Sequence, residues 1–211
     1  MTYPSTRLDV SNLILERGEF VLSPALTFTA QGPSLIQLGG ENGAGKTTAL
    51  RALAGLVTPA SGSIHWCRQS IDKLDNYATS LNYIGHVSGL SAELSVRENL
   101  EFIAAIGRQQ QVRSPAAALA LLEAQTFAEQ PVRQLSAGQR QRAALARLAL
   151  FDCPLWMLDE PFTALDADSR KLVENLIDDH LERGGIALIA THQPWGGRHQ
   201  ATQIHLGRQS T

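Results

Sequence analysis

The sequence predicts an α/β fold: a core built on a parallel sheet, an antiparallel β segment at the N-terminal end and a short helical subdomain set into the core. Three observations predict it. Short apolar strands alternate with helical stretches along the chain. Two of these strands, Leu155–Leu158 and Ile186–Ala190, are continuous apolar runs, the pattern of strands buried on both faces of a parallel sheet. A third, Leu35–Leu38, passes directly through a glycine-rich loop into a helix.

The elements follow in order. Leu8–Leu15 has the Leu, Val and Ile content of a strand, and Phe20–Phe28 reads as a second one broken by Pro24. Helical spacing starts at Thr47, with Leu50, Leu53 and Ala54 on one face, and Gly55 and Pro59 end it. Ser61–Ile64 reads as a turn into a strand, and Leu81–His86 as a further short apolar stretch. From Ser95 to Ala128 the composition shifts to Ala, Leu, Glu and Gln at helical spacing, interrupted near Gly107–Pro115. With a helix expected over Ala143–Leu150, the helical subdomain covers roughly residues 95–150 of a single domain spanning 1–211. Asp168–Arg183 reads as a helix closed by Gly184-Gly185. No internal repeat or low-complexity tract is visible.

A chain of 211 residues fits one compact domain or two small lobes. Its 44% hydrophobic and 18% charged residues are ordinary globular composition. Lys and Arg total 18 against 20 Asp and Glu, a net charge of −2, which excludes binding to nucleic acid by bulk phosphate attraction. No nucleic-acid partner is expected. Cys67 and Cys153 are too few for a disulfide framework, and no Cys-x-x-Cys pair offers a zinc or redox site. No apolar run approaches the ~18–20 residues that span a bilayer, and the first residues lack the apolar stretch of a secretory signal. Work at a membrane is therefore expected to go through a partner.

Gly40-x-x-x-x-Gly45-Lys46-Thr47 is a complete phosphate-binding loop between a strand and a helix, so the core is expected to be of the P-loop NTPase type. Its glycines let the backbone turn its N–H groups onto phosphates, and the helix adds its positive N-terminal end. Gly40, Glu41, Asn42, Gly43, Ala44, Gly45, Lys46, Thr47 and Thr48 are the candidate ATP contacts. Lys46 is expected to reach the β- and γ-phosphates and the Thr47 hydroxyl to bind Mg²⁺. Asp159, at the end of the apolar strand Leu155–Leu158, sits where such sheets hold ligands and is the second candidate Mg²⁺ ligand. Glu160 beside it is suited to polarise an attacking water. The bland alternative for Asp159 is a helix cap.

Between these motifs lies Leu135-Ser136-Ala137-Gly138-Gln139. It resembles the Leu-Ser-Gly-Gly-Gln signature of the ABC-transporter ATPases. The resemblance covers nearly the whole chain, with the major blocks in the family's order. It implies that Ser136, Ala137, Gly138 and Gln139 of one copy meet the nucleotide held by Lys46 of another, in an ATP-dependent homodimer. Ser136 is also suited to cap a helix. Thr163-Ala164-Leu165-Asp166 resembles the family's D-loop, and Thr191-His192 its switch, where His192 would contact the γ-phosphate and join Lys46 and Glu160 in catalysis. His65, His180, His199 and His205 are read as structural or surface residues.

Three departures from the family stand out. Ala137 replaces a glycine, which a phosphate-facing backbone tolerates if φ stays negative. His86 stands where the family has a glutamine that binds Mg²⁺ or water. Where a Tyr usually stacks on adenine the chain has Glu16-Arg17-Gly18-Glu19-Phe20, leaving Arg17 as the candidate stacking group and Phe20 as its alternative. Within the family, Tyr83–Leu90, Glu93-Leu94 and Glu98-Asn99-Leu100, together with the His86 and Ala137 departures, resemble the ATP-binding subunits of cytochrome c maturation systems. That implies a CcmB-like membrane permease, with CcmC-like and, indirectly, CcmE-like proteins as further partners. It implies a place on the cytoplasmic face of the inner membrane and ATP hydrolysis that energises haem export or release of a haem-loaded chaperone. The alternatives are the ATPase of another ABC transporter and a soluble, non-transport ABC ATPase. The scattered histidines and the lack of Cys-x-x-Cys-His give no sign of haem binding by the chain itself.

Overall fold

A computed structural model describes residues 2–3, 5–17, 20–21 and 25–207; for Arg17, Phe20 and Val21 it describes the backbone alone. Pro24, Gly18 and Glu19, and the side chains of Arg17 and Phe20, lie outside the described residues.

Among the described residues the strands are β1 (Arg7–Ile14), β2 (Glu16–Arg17), β3 (Phe20–Val21), β4 (Leu26–Gln31), β5 (Ser34–Gly39), β6 (Ser61–Trp66), β7 (Gln69–Ser70), β8 (Leu81–Ile84), β9 (Leu155–Asp159), β10 (Ile186–Ala190) and β11 (Ala201–His205). The helices are α1 (Lys46–Leu53), α2 (Val96–Ile106), α3 (Pro115–Ala120), α4 (Ala137–Ala146) and α5 (Ala167–Glu182). A five-stranded sheet in the order β11-β5-β10-β9-β8 is parallel throughout. A four-stranded antiparallel sheet, β4-β1-β6-β7, packs beside it, and β2 pairs with β3 as a small ribbon.

The apolar runs form strands because both faces of the parallel sheet are covered. Leu155, Met157, Ile186 and Leu188 pack with α1 and the antiparallel sheet. Trp156, Leu158, Ala187 and Ile189 face the other way, onto the helical subdomain and α5. Successive residues of one strand thus enter opposite cores, which is why no polar residue interrupts the runs.

The helical subdomain is held by caps. Ser95 closes a capping box with Glu98 at the start of α2, and Ser114 with Pro115 begins α3 after the expected interruption. The helix expected over Ala143–Leu150 is corrected: it begins at Ala137, because Ser136 and Gln139 form a complete capping box there, and its last turn tightens to 3₁₀ geometry at Arg147–Ala149. Strand β11 was absent from the sequence expectations. It is an edge strand with mixed exposure, so it carries neither alternation nor an apolar run. Among the described residues no helix is long and apolar enough to cross a membrane.

Candidate functional site

The C-terminal ends of β5, β8, β9 and β10 converge on one edge of the parallel sheet. Leu38 and Asp159 both stand level with Ala190, and Ile84 stands level with Leu158. Loops leaving these ends therefore meet at a single cleft, the general place for ligands in such sheets. Asn42, Gly43 and the run Gly45 to Thr48 line it together with His86, Asp159 and Glu160.

The phosphate loop has positive φ at three glycines, Gly40, Gly43 (φ 81°) and Gly45. Gly40 has φ +139°, and a Cβ there would stand 2.4 Å from the Leu206 carbonyl oxygen. Gly45 is left-handed, φ 96° and ψ 9°, immediately before α1. Among the described residues no side-chain hydrogen bond caps α1, so its first N–H groups, at the edge of the cleft, have no side-chain acceptor. Lys46 is buried, and its ammonium donates to the carbonyl oxygens of Gly40 at 2.8 Å and Glu41 at 3.2 Å. The lysine is thus laid along its own loop, with its charge at the cleft.

Thr47 and Asp159 are far apart in sequence and adjacent in space: the Thr47 hydroxyl donates to Asp159 Oδ2 at 2.8 Å. Asp159 is buried, and burial pushes its carboxyl above the usual carboxylate range; the Thr47 hydrogen bond and His86 act against that, and the Glu160 charge adds to it. This pair fits Mg²⁺. Two oxygen donors, one a carboxylate, are what that ion takes from a protein when phosphates and waters complete its shell. Among the described residues no cluster of three His, Cys, Asp or Glu side chains is placed to hold a metal ion alone.

Glu160 adopts φ +51°, a left-handed conformation that costs of order 1–3 kcal/mol in a non-glycine residue and persists where the surroundings enforce it. Its N–H donates to the Ala190 carbonyl at 2.8 Å, and Gln141 of α4 donates to the Glu160 and Pro161 carbonyls at 3.4 and 3.0 Å. The carboxylate accepts the Thr191 hydroxyl at 3.2 Å and lies 3.3 Å from His192 Nδ1. Hence the strained turn aims Glu160 back across the ends of β9 and β10. His86, just beyond β8, reaches the same cleft.

The signature segment stands elsewhere. Ser136 Oγ accepts the Gln139 N–H at 3.2 Å, and Gln139 Oε1 accepts the Ser136 N–H at 2.9 Å. None of Ser136, Ala137, Gly138 and Gln139 lines the cleft that holds Lys46. Ala137 is helical with negative φ, so its methyl group is unstrained. Gly138 is the position without room: a Cβ would stand 2.7 Å from the Ala164 carbonyl oxygen. Asp166 caps α5 by accepting the Ser169 N–H at 2.8 Å, which holds its carboxyl below the usual range. It too is absent from that cleft. The Arg17 side chain lies outside the described residues.

The other histidines behave as structural groups. His180 is buried and stacks on Trp156 at 4.0 Å, and burial pulls its imidazole down to about 3, so it stays neutral. His199 pairs with Asp178 at 2.8 Å. Sequence reasoning missed Gln141, Gln37 and Arg170, whose polar side chains look like solvated surface in the one-dimensional pattern.

The chain is similar to known proteins over most of its length. The model of the ABC transporter family matches residues 24–163. A curated relative from Haemophilus influenzae, "Cytochrome c biogenesis ATP-binding export protein CcmA", is 42% identical over 192 residues, covering 89% of each chain. The protein of the same description from Methylococcus capsulatus is 44% identical over 192 residues, covering 90% of this chain and 93% of that one. A solved structure of a putative ABC transporter ATP-binding protein from Pyrococcus furiosus superposes with a TM-score of 0.80 at 22% identity, covering 95% of this chain and 97% of that one, and so shares its fold.

Proposed function

The chain belongs to the ABC transporter family, and from that premise we propose how its residues divide the work. It is the ATP-hydrolysing subunit of a cytochrome c biogenesis export system. Lys46 and the N–H groups at the start of α1 hold the β- and γ-phosphates. Thr47 and Asp159 hold Mg²⁺, which when bound offsets the charge spread over those phosphate oxygens. Water attacks the γ-phosphorus and the bond to the β,γ-bridging oxygen breaks. Glu160 orients that water and takes its proton, while ADP leaves with the bridging oxygen. His192 contacts the γ-phosphate, and His86 fills the place of the family's glutamine. Adenine stacking falls to Arg17 or, as the alternative, Phe20.

The observation that carries this reading is the convergence at one cleft of the Thr47–Asp159 pair and a Glu160 held by Thr191 and His192. Ser136, Ala137, Gly138, Gln139 and Asp166 stand outside that cleft, which supports their acting on the nucleotide of a second copy. Such an interface is isologous, with ATP between the copies. The partners are a CcmB-like permease, a CcmC-like protein and, indirectly, a CcmE-like chaperone, on the cytoplasmic face of the inner membrane. The energy of hydrolysis serves haem export or release of the haem-loaded chaperone.

The test is light scattering on size-exclusion peaks, with the permease present and absent. Glu160→Gln keeps ATP binding, loses roughly 10²–10⁴-fold in turnover, and accumulates as a dimer with ATP but not with ADP. Adding Ser136→Arg abolishes that dimer. A double variant that dimerises with ATP as well as the single one refutes the head-to-tail arrangement.

A further inference from the structure

His192 is the weakly packed member of the site. Its side chain is 63% exposed, and the 3.3 Å approach of Nδ1 to Glu160 is too little packing to fix the ring by itself. The backbone on either side must do so. Before it, Thr191 is buried and bonded to Glu160. After it, Gln193 is tied in three directions: its N–H donates to Thr191 Oγ1 at 3.1 Å, its carbonyl accepts Gln37 Nε2 at 2.8 Å, and its side-chain Oε1 accepts Arg170 Nη1 at 2.9 Å.

Arg170, on the first turn of α5, gathers the rest. Its Nη2 donates to the Pro194 carbonyl, and its Nε donates to Glu174 at 2.9 Å. Its guanidinium also lies 4.8 Å from the ring centroid of Phe162, which follows Glu160 and Pro161. Glu174 is buried, which fixes the guanidinium plane. A single side chain therefore touches the segment after Glu160 and the segment after His192. We infer that Arg170 is a positioning residue that sets His192 against Glu160, acting through Gln193, Pro194 and Phe162. A planar fork with a stacking face is needed for this; a lysine ammonium offers neither. The inference rests on the proposed roles of His192 and Glu160.

The experiment is a double-mutant cycle on the chain copurified with its membrane subunit: Arg170→Lys, His192→Ala and both together. Lysine keeps the charge facing Glu174, so folding is preserved while the fork is lost. Arg170→Lys is expected to lower kcat between about 10- and 100-fold, the scale of an ångström-level misplacement, with nucleotide affinity unchanged within about twofold. In the His192→Ala background the same substitution should cost less than about twofold. A second readout needs no turnover. Trp195 is partly exposed and bonds to the His199 carbonyl, whereas Trp66 and Trp156 are buried. Acrylamide quenching of the accessible tryptophan should therefore rise in Arg170→Lys. Full activity in Arg170→Lys, an equal loss in both backgrounds, or unchanged quenching overturns the inference. Wild-type turnover in His192→Ala instead overturns the role proposed for His192.

Discussion

Helices α1 and α4 both begin at loops with a proposed part in nucleotide contact, and they begin in opposite ways. The start of α1 follows a left-handed glycine, lacks a side-chain cap among the described residues and carries a buried lysine. The start of α4 is exposed and closed by its own side chains, Ser136 and Gln139, in a reciprocal capping box. An uncapped helix start has N–H groups to give to an anion; a capped one has already committed two of its donors. On the proposed reading, the difference means that affinity for phosphate resides in the α1 end. On the same reading the α4 end, held in shape by its capping box, contributes once a nucleotide is brought to it by a second copy.

Three substitutions break or sharpen that comparison. Lys46→Ala acts at the first helix start and removes the one cation laid along the loop. A charge-assisted hydrogen bond is worth about 1.5–3 kcal/mol, so ATP affinity should fall by roughly 10–150-fold in a calorimetric titration. Unchanged affinity would mean that the loop is not where phosphate binds. Ser136→Ala acts at the second start. It should cost about 1 kcal/mol of stability on chemical denaturation through the lost cap, and leave ATP affinity of the isolated chain as it was. A fall in that affinity comparable to Lys46→Ala would erase the distinction between the two ends. Ala137→Gly restores the family's residue one position on. Because Ala137 has negative φ and an exposed methyl, the expected change is a loss of only about 0.5 kcal/mol, with ATP-dependent dimerisation retained. A gain in stability or a lost dimer would show that the methyl group is part of the contact.

The phosphate loop was legible because its chemistry is local. Glycines at 40 and 45, a lysine and a hydroxyl at fixed offsets, and a strand before and helix after are all within twenty residues of sequence. Asp159 and Glu160 were legible only together with that loop: an apolar run ending in two carboxylates is a weak signal alone, since a helix cap explains the Asp as well. The family resemblance supplied Ser136, His86 and His192, which isolated residues would not have suggested. The α4 start shows how a correct local feature was under-read. Ser136 reads as a cap, yet the apolar spacing that marks a helix starts only at Ala143, because Arg140, Gln141 and Arg142 dilute it.

By itself, the sequence determined the alternation of strands and helices, the phosphate loop and the carboxylate pair, because propensity, backbone freedom and burial periodicity act between near neighbours. Only the tertiary structure decided the rest. It brought β11 alongside β5, so that Leu206 presses on Gly40. It set Thr47 against Asp159 and turned Glu160 left-handed toward Thr191 and His192. It drew Arg170 across the loops that follow Glu160 and His192. Each of these contacts joins residues distant in the chain or depends on such a contact, and which side chains meet stays open until the parallel sheet fixes which strand ends lie side by side.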